Sequence, residues 1–90
     1  MQYAFLAVID GHNVIAVNHG FGSSQLFEAV WDPAKYDFMC AFAFTGKDYK
    51  VSLYTDKPGF DASVIASKFG GGGHQGAAGF TTKDLPLTPF

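Results

Sequence analysis

Arginine is absent from the sequence, whose six lysines face eight acidic residues for a formal net charge of −2. A protein that grips many phosphates of a long nucleic acid carries a basic stripe, because each contact calls for a neutralising cation. That class of partner is disfavoured, whereas one or two phosphates held by backbone amides need no cationic face. If a nucleic acid binds, it is a short one. Cysteine is nearly absent too. The single Cys40 permits no internal disulfide, and its place in the apolar run at residues 38–44 marks it as a buried free thiol suited to a reducing cytosol. No apolar run approaches the ~20 residues of a membrane span, and no charged-then-apolar segment opens the chain. The expectation is a soluble, cytoplasmic protein with no membrane partner.

Catalytic spacings are missing as well. The three His and one Cys show no H-x-H, C-x-x-C or H-E-x-x-H pattern, and the aspartates are scattered through turns and caps. Ser63 and Ser67 have no nearby base for a Ser/His pair. No Gly-Lys-Ser/Thr follows the glycines, which removes a Walker-type nucleotide loop. No metal or other cofactor, and no catalytic residue, is expected on this chain.

What is present is a core. Ninety residues make one domain, 1–90, and 48% hydrophobic residues with ten Phe, four Tyr and one Trp exclude a disordered tail. A chain of this size buries ~60 to 65% of the surface its unfolded form exposes. Residues 3–9 are apolar throughout and read as a buried strand. Asp10, Gly11, His12 and Asn13 supply a turn, and residues 14–17 return as the second arm of a hairpin. Ser23 or Ser24 caps a first helix with Leu26, Phe27, Val30 and Trp31 on one face, stopped by Pro33. Residues 38–45 are apolar on both alternating faces, the mark of a central strand. Residues 49–54 alternate, with Tyr49, Val51 and Leu53 against Lys50, Ser52 and Tyr54.

Asp61 is an N-cap for a second helix with Ala62, Ile65, Ala66 and Phe69 on its apolar face, and Gly70 stands where a left-handed C-terminal residue belongs. Residues 77–82 read as a last strand. The tail from Asp84 to Phe90, with two prolines, is expected to be extended and ordered against a partner domain. The result is an α+β (mixed α/β) single domain, a mixed sheet of about five strands with two helices packed on it.

The most informative stretch is residues 70–80, G-G-G-G-H-Q-G-A-A-G-F, which holds six of the eleven glycines. Glycine lets a backbone approach a ligand with no Cβ in the way, and successive inward amides form a nest for phosphate or carboxylate. The apolar Phe69, Ala77, Ala78 and Phe80 around the run argue for an ordered loop rather than a flexible linker. The residues therefore suggest that Gly71, Gly72 and Gly73 with the ring of His74 hold one phosphate. The small Ala77, Ala78 and Gly79 permit the close approach this requires. His74 as a buried structural histidine closing the loop is the competing reading. His12 and His19, at turns among polar neighbours, read as histidines of no special role.

This stretch, with the preceding V-S-L-Y and I-A-S-K-F, closely resembles the DHH-associated domain of the first type, the C-terminal accessory domain of DHH phosphoesterases. The strongest part of the match covers residues 50–80. The resemblance implies that the Gly-rich loop and its histidine hold the phosphate or terminal nucleotide of a substrate. It also implies a separate N-terminal DHH domain carrying Mn²⁺ or Mg²⁺; no D-H-H triplet occurs here.

Enzymes with that pair of domains hydrolyse short oligonucleotides, nucleoside bisphosphates or cyclic dinucleotides as phosphodiesterases or exonucleases. A substrate-binding accessory domain, inert when alone, is thus the leading expectation. A non-catalytic RNA-binding module like the glycine-rich C-terminal domain of alanyl-tRNA synthetases is the alternative, disfavoured by His74 and the acidic balance. Tyr54 stands where many relatives of this kind carry arginine. It can stack on a base, worth ~1 to 3 kcal/mol, or pack on the other domain. Lys50 and Lys57 read as ordinary solvated lysines.

Overall fold

The computed structural model describes residues 4–18 and 31–89. The elements are β1 (Ala4–Ile9), β2 (His12–Asn18), β3 (Phe38–Phe44), β4 (Tyr49–Tyr54), α1 (Ala62–Lys68), β5 (Gly72–Gly73), β6 (Ala77–Thr82) and β7 (Thr88–Pro89). They form one mixed sheet in the order β5-β6-β4-β3-β2-β1-β7. Five of these strands are those read from hydropathy. The additional β5 lies in the glycine run and β7 in the tail, two residues each. The domain is mostly sheet, with one helix among the described residues.

The first expected helix, from its cap at Ser23 or Ser24 as far as Val30, lies outside the described residues. Trp31, assigned to its apolar face, is in irregular backbone.

Asp10 and Gly11 alone make the β1–β2 turn, with φ of 50° and 80°. Positive φ at both central residues is the turn whose twist matches a hairpin, and Asp-Gly suits it. The strand consequently begins at His12, opposite Ile9, rather than after Asn13. β2 and β3 run parallel, with Val14 opposite Phe38, and residues 19–37 are long enough for the crossover that parallel pairing requires. β3 is central and buried on both faces, as its unbroken apolar run predicts.

One face of the sheet packs Phe38, Cys40, Val51, Leu53 and Phe80 beneath Ala62, Ile65 and Ala66 of α1. The other face gathers Ile15, Val17, Met39 and Ala41 with the partly buried Trp31, Tyr36 and Tyr54. Asp61 caps α1 through an oxygen that accepts from the Ser63 amide at 2.9 Å. The tail departs from expectation. β7 pairs with Ala7 and Val8, and Leu85 and Leu87 pack on the core, so apolar burial orders it against the chain's own sheet.

Two further expectations fail at Asp37. Lys57 is not simply solvated: its ammonium lies 3.0 Å from Asp37 Oδ1, 3.1 Å from the Tyr36 carbonyl and 4.6 Å above the Phe60 ring. His12 is half-buried, with Nδ1 3.1 Å from Asp37 Oδ2 and its ring edge-on to Phe38 and Phe60. Contacts distant in sequence created this cluster, and no local pattern announces them.

Burial raises the pKa of Asp37, but hydrogen bonds and charge from Lys57 and His12 outweigh it and hold the carboxyl below its ordinary value. A depressed folded-state pKa adds stability that is complete above the unfolded carboxylate range, near ~4, and lost as pH falls through the folded value. Urea midpoints measured from pH 7 down to pH 2 should therefore fall at the acid end. Asp37→Asn should lower the neutral-pH midpoint and flatten that acid limb.

Burial also pushes the Cys40 thiol up to about 12. Iodoacetamide at pH 8 should leave Cys40 unmodified in the native chain and alkylate it in urea. Rapid native-state labelling would contradict the buried placement.

Candidate functional site

The glycine run begins as a helix cap. Gly70, at φ 84°, takes the left-handed position after α1, its amide donating to Ser67 O at 3.2 Å, while the Gly71 amide donates to Ala66 O at 2.8 Å. This paired arrangement closes a helix C-terminus and satisfies two of its orphan carbonyls. The chain then turns into β5, where Gly72 lies opposite Gly79 and Gly73 opposite Ala78. His74 and Ala77 exchange backbone hydrogen bonds of 2.8 and 3.2 Å across a turn made by Gln75 and Gly76.

The run is thus the outer strand of a tight hairpin, and the expected nest of consecutive inward amides at Gly71, Gly72 and Gly73 does not form. The Gly71 amide is committed to α1, and ladder alternation directs that of Gly72 towards β6. The Gly73 amide is left facing outward from the sheet edge by the same alternation. The amides of Gln75 and Gly76 make no hydrogen bond among the described residues.

The fold needs glycine at three of the four positions. Gly70 requires it for positive φ. At Gly71 a Cβ would collide with Gly79 O and come within 2.6 Å of Phe80 Cβ, and at Gly73 within 2.6 Å of Ala78 Cα, where φ is also 147°. Gly72 differs. It has no positive φ, and a Cβ there would meet nothing within 4 Å. Gly79 is required by packing, since its Cβ would stand 2.9 Å from Val51 O.

Three hydrogen bonds fix the hairpin tip. The Ala62 amide donates to Gln75 O at 2.8 Å, the Thr55 amide to Gly76 O at 3.1 Å, and Gln75 Nε2 to Phe60 O at 3.3 Å. Thr55 is buried, and its hydroxyl donates to Asp37 O at 2.8 Å, which ties the tip to the Asp37 cluster. Sequence reasoning missed Thr55, Gln75 and Asp37; each acts through contacts that no motif encodes.

Pairing places the expected site residues in rows. Ala77 is the partner of Tyr54 on one side and of His74 on the other, so His74, Ala77 and Tyr54 share one row on one face. Gly72, Gly79 and Ser52 form the next row, and Thr81 and Lys50 the one beyond. The structure therefore brings together His74, Ala77, Tyr54 and Gly72. Gly71 and Gly73 sit beside them in structural roles.

Residues 71–77 are all exposed, which removes the reading of His74 as a buried structural histidine. Its ring makes no hydrogen bond or ion pair among the described residues. Tyr54 is half-buried and packs beside Met39 and its neighbours. No group of three or more His, Cys, Asp or Glu suited to a metal occurs among the described residues. No described helix is long and apolar enough to cross a membrane.

The family model described as the DHHA1 domain matches residues 11–88, nearly the whole chain and all of the glycine hairpin. No curated protein matches it. Strands β2 to β6, α1 and the hairpin with its histidine all lie within the matched span, and the chain belongs to the DHHA1 family, the DHH-associated accessory domain of DHH-family phosphoesterases, which usually sits with an N-terminal DHH domain.

Proposed function

We propose that the hairpin holds the phosphate or terminal nucleotide of a short oligonucleotide or dinucleotide, presenting it to a DHH catalytic domain that carries the Mn²⁺ or Mg²⁺ ions. The observation that carries this reading is Gly72. The backbone there is exposed, the space above it is open, and neither φ nor packing demands glycine. A bare backbone that the fold does not require is what a closely approaching ligand requires.

Around it stand groups suited to a nucleotide. The His74 ring and the outward Gly73 amide are donors for a phosphate, and unspent amides at Gln75 and Gly76 add to them. Tyr54, in the same row, offers an aromatic edge for a base or for the partner domain. The three bonds at the tip hold this arrangement before any ligand arrives, which lowers the ordering cost of binding.

The stated chemistry requires the chain alone to bind weakly and to hydrolyse nothing, because water activation belongs to the metal-bearing domain. Titrating the amide resonances of residues 70–80 with a 5′-phosphorylated dinucleotide and with its unphosphorylated counterpart tests the reading. The phosphorylated ligand should shift residues 72–76 selectively. His74→Ala should weaken it about tenfold to a hundredfold, the loss of one charge-assisted hydrogen bond worth ~1.5 to 3 kcal/mol.

Gly72→Val should abolish binding while leaving the thermal midpoint nearly unchanged, because a β-branched residue fits an edge strand with open space above it. Gly73→Ala should instead destabilise the fold by ~1 to 3 kcal/mol through overlap with Ala78. Equal shifts from both ligands would show that the base or sugar is read instead, and the phosphate assignment would fall.

A further inference from the structure

We propose that Lys50, with the hydroxyls of Ser52 and Thr81, forms a second anion subsite beside the hairpin, so that the domain takes a nucleotide chain bearing at least two phosphates in preference to a mononucleotide. The inference rests on the reading of the hairpin given above. It arises from where β5 stops. β5 pairs only with Ala78 and Gly79, so β6 continues past it through Phe80, Thr81 and Thr82 with a partner on the β4 side alone.

A groove of about 410 Å³ opens at this step in the sheet edge, and Lys50, Ser52, Gly70, Gly71, Gly79 and Thr81 contribute to its lining. Lys50 and Thr81 are register partners, as are Ser52 and Gly79, so an ammonium and two hydroxyls project from adjacent rows of one face. No carboxylate lines the groove. Gly70, Gly71 and Gly79 bring no side chain to it.

Place and pairing together distinguish Lys50. Lys35, Lys57 and Lys68 each lie within 4.0 Å of an aspartate carboxylate. Lys50, like Lys47 and Lys83, forms no ion pair among the described residues, and of these three only Lys50 lines the groove, where it is exposed. In a chain with net charge −2, an unpaired ammonium over an acid-free groove is a local reversal of sign.

Spacing assigns it a different phosphate from the one at His74. Lys50 and Tyr54 are four residues apart on β4, about 13 Å at the strand rise, and Tyr54 shares its row with Ala77 and His74. One phosphate group does not bridge that distance, whereas a nucleotide chain crossing the Gly72–Gly79–Ser52 row does. Ser52 and Thr81 then supply neutral hydrogen bonds beside the charge.

The test uses the 90-residue chain, with a 5′-mononucleotide and a 5′-phosphorylated trinucleotide as probes. The trinucleotide should bind more tightly. Lys50→Met should weaken it by about three- to tenfold at low salt and lower its log–log salt slope by about 0.7, the share of one phosphate on a single strand. Mononucleotide affinity should not change, and Lys50→Arg should restore the trinucleotide advantage.

If the wild-type chain binds both probes equally, or Lys50→Met leaves both unchanged, the second subsite is refuted while the hairpin reading stands. Equal weakening of both probes also refutes it, by placing Lys50 at the first phosphate. If Gly72→Val leaves the binding of either probe intact, or the wild-type chain binds neither, the hairpin reading and this inference fall together.

Discussion

Both ends of α1 are closed by the backbone of the glycine segment, and the geometry of the site depends on that closure. A helix of seven residues is too short to persist by its own hydrogen bonds. Here the Ala62 amide is satisfied by Gln75 O at the start, and the carbonyls of Ala66 and Ser67 are satisfied by Gly71 and Gly70 at the end. The segment between these points runs back along the helix as β5, close enough to β6 that Gly71 and Gly73 admit no side chain. Helix, edge strand and turn are therefore one cooperative unit, and His74 is placed by a scaffold rather than by a mobile loop.

The second support is the Asp37 cluster. Its carboxylate collects Lys57 and His12, its carbonyl collects Thr55, and its amide donates to Asn13 O at 2.8 Å. These bonds join the starts of β2 and β3 to the end of β4, from which the Thr55 amide reaches Gly76 in the hairpin turn. The groups are only partly withdrawn from water, so the desolvation penalty that makes buried pairs costly is moderated here. The ring of Phe60 covers both the lysine and the histidine.

Much of this was legible where chemistry is local. The apolar runs of β1 and β3, the alternation in β4, the Asp61 cap, Gly70 after the helix and the position of Cys40 all follow from neighbours in sequence. The family was legible as well, because its motif is contiguous. What escaped depends on partners far along the chain. A four-glycine run carries no pattern that separates a curled anion nest from an edge strand; only the strand opposite, with Gly79 and Ala78, decides it. Lys57 looks like a solvated lysine until Asp37 is brought beside it. The proline-bearing tail looks unpaired until β1 offers its free edge. His74, Ala77 and Tyr54 fall in one row of the sheet, while the division between Gly72, which the fold does not require to be glycine, and structural Gly71 and Gly73 depends on the pairing of β5 with β6.

The density of glycine in the hairpin also has a thermodynamic side. Glycine loses more backbone freedom on ordering than any other residue, and residues 70–73 order four in succession. The hairpin contributes little apolar burial in return, since residues 71–77 are exposed. Its closure therefore rests on the hydrogen bonds it shares with β6, Thr55 and both ends of α1 rather than on apolar burial, so hairpin and helix open together. A molecule that binds only the closed hairpin must first draw on that closed population, and in doing so it protects the hairpin and, through the shared hydrogen bonds, both ends of the helix against opening.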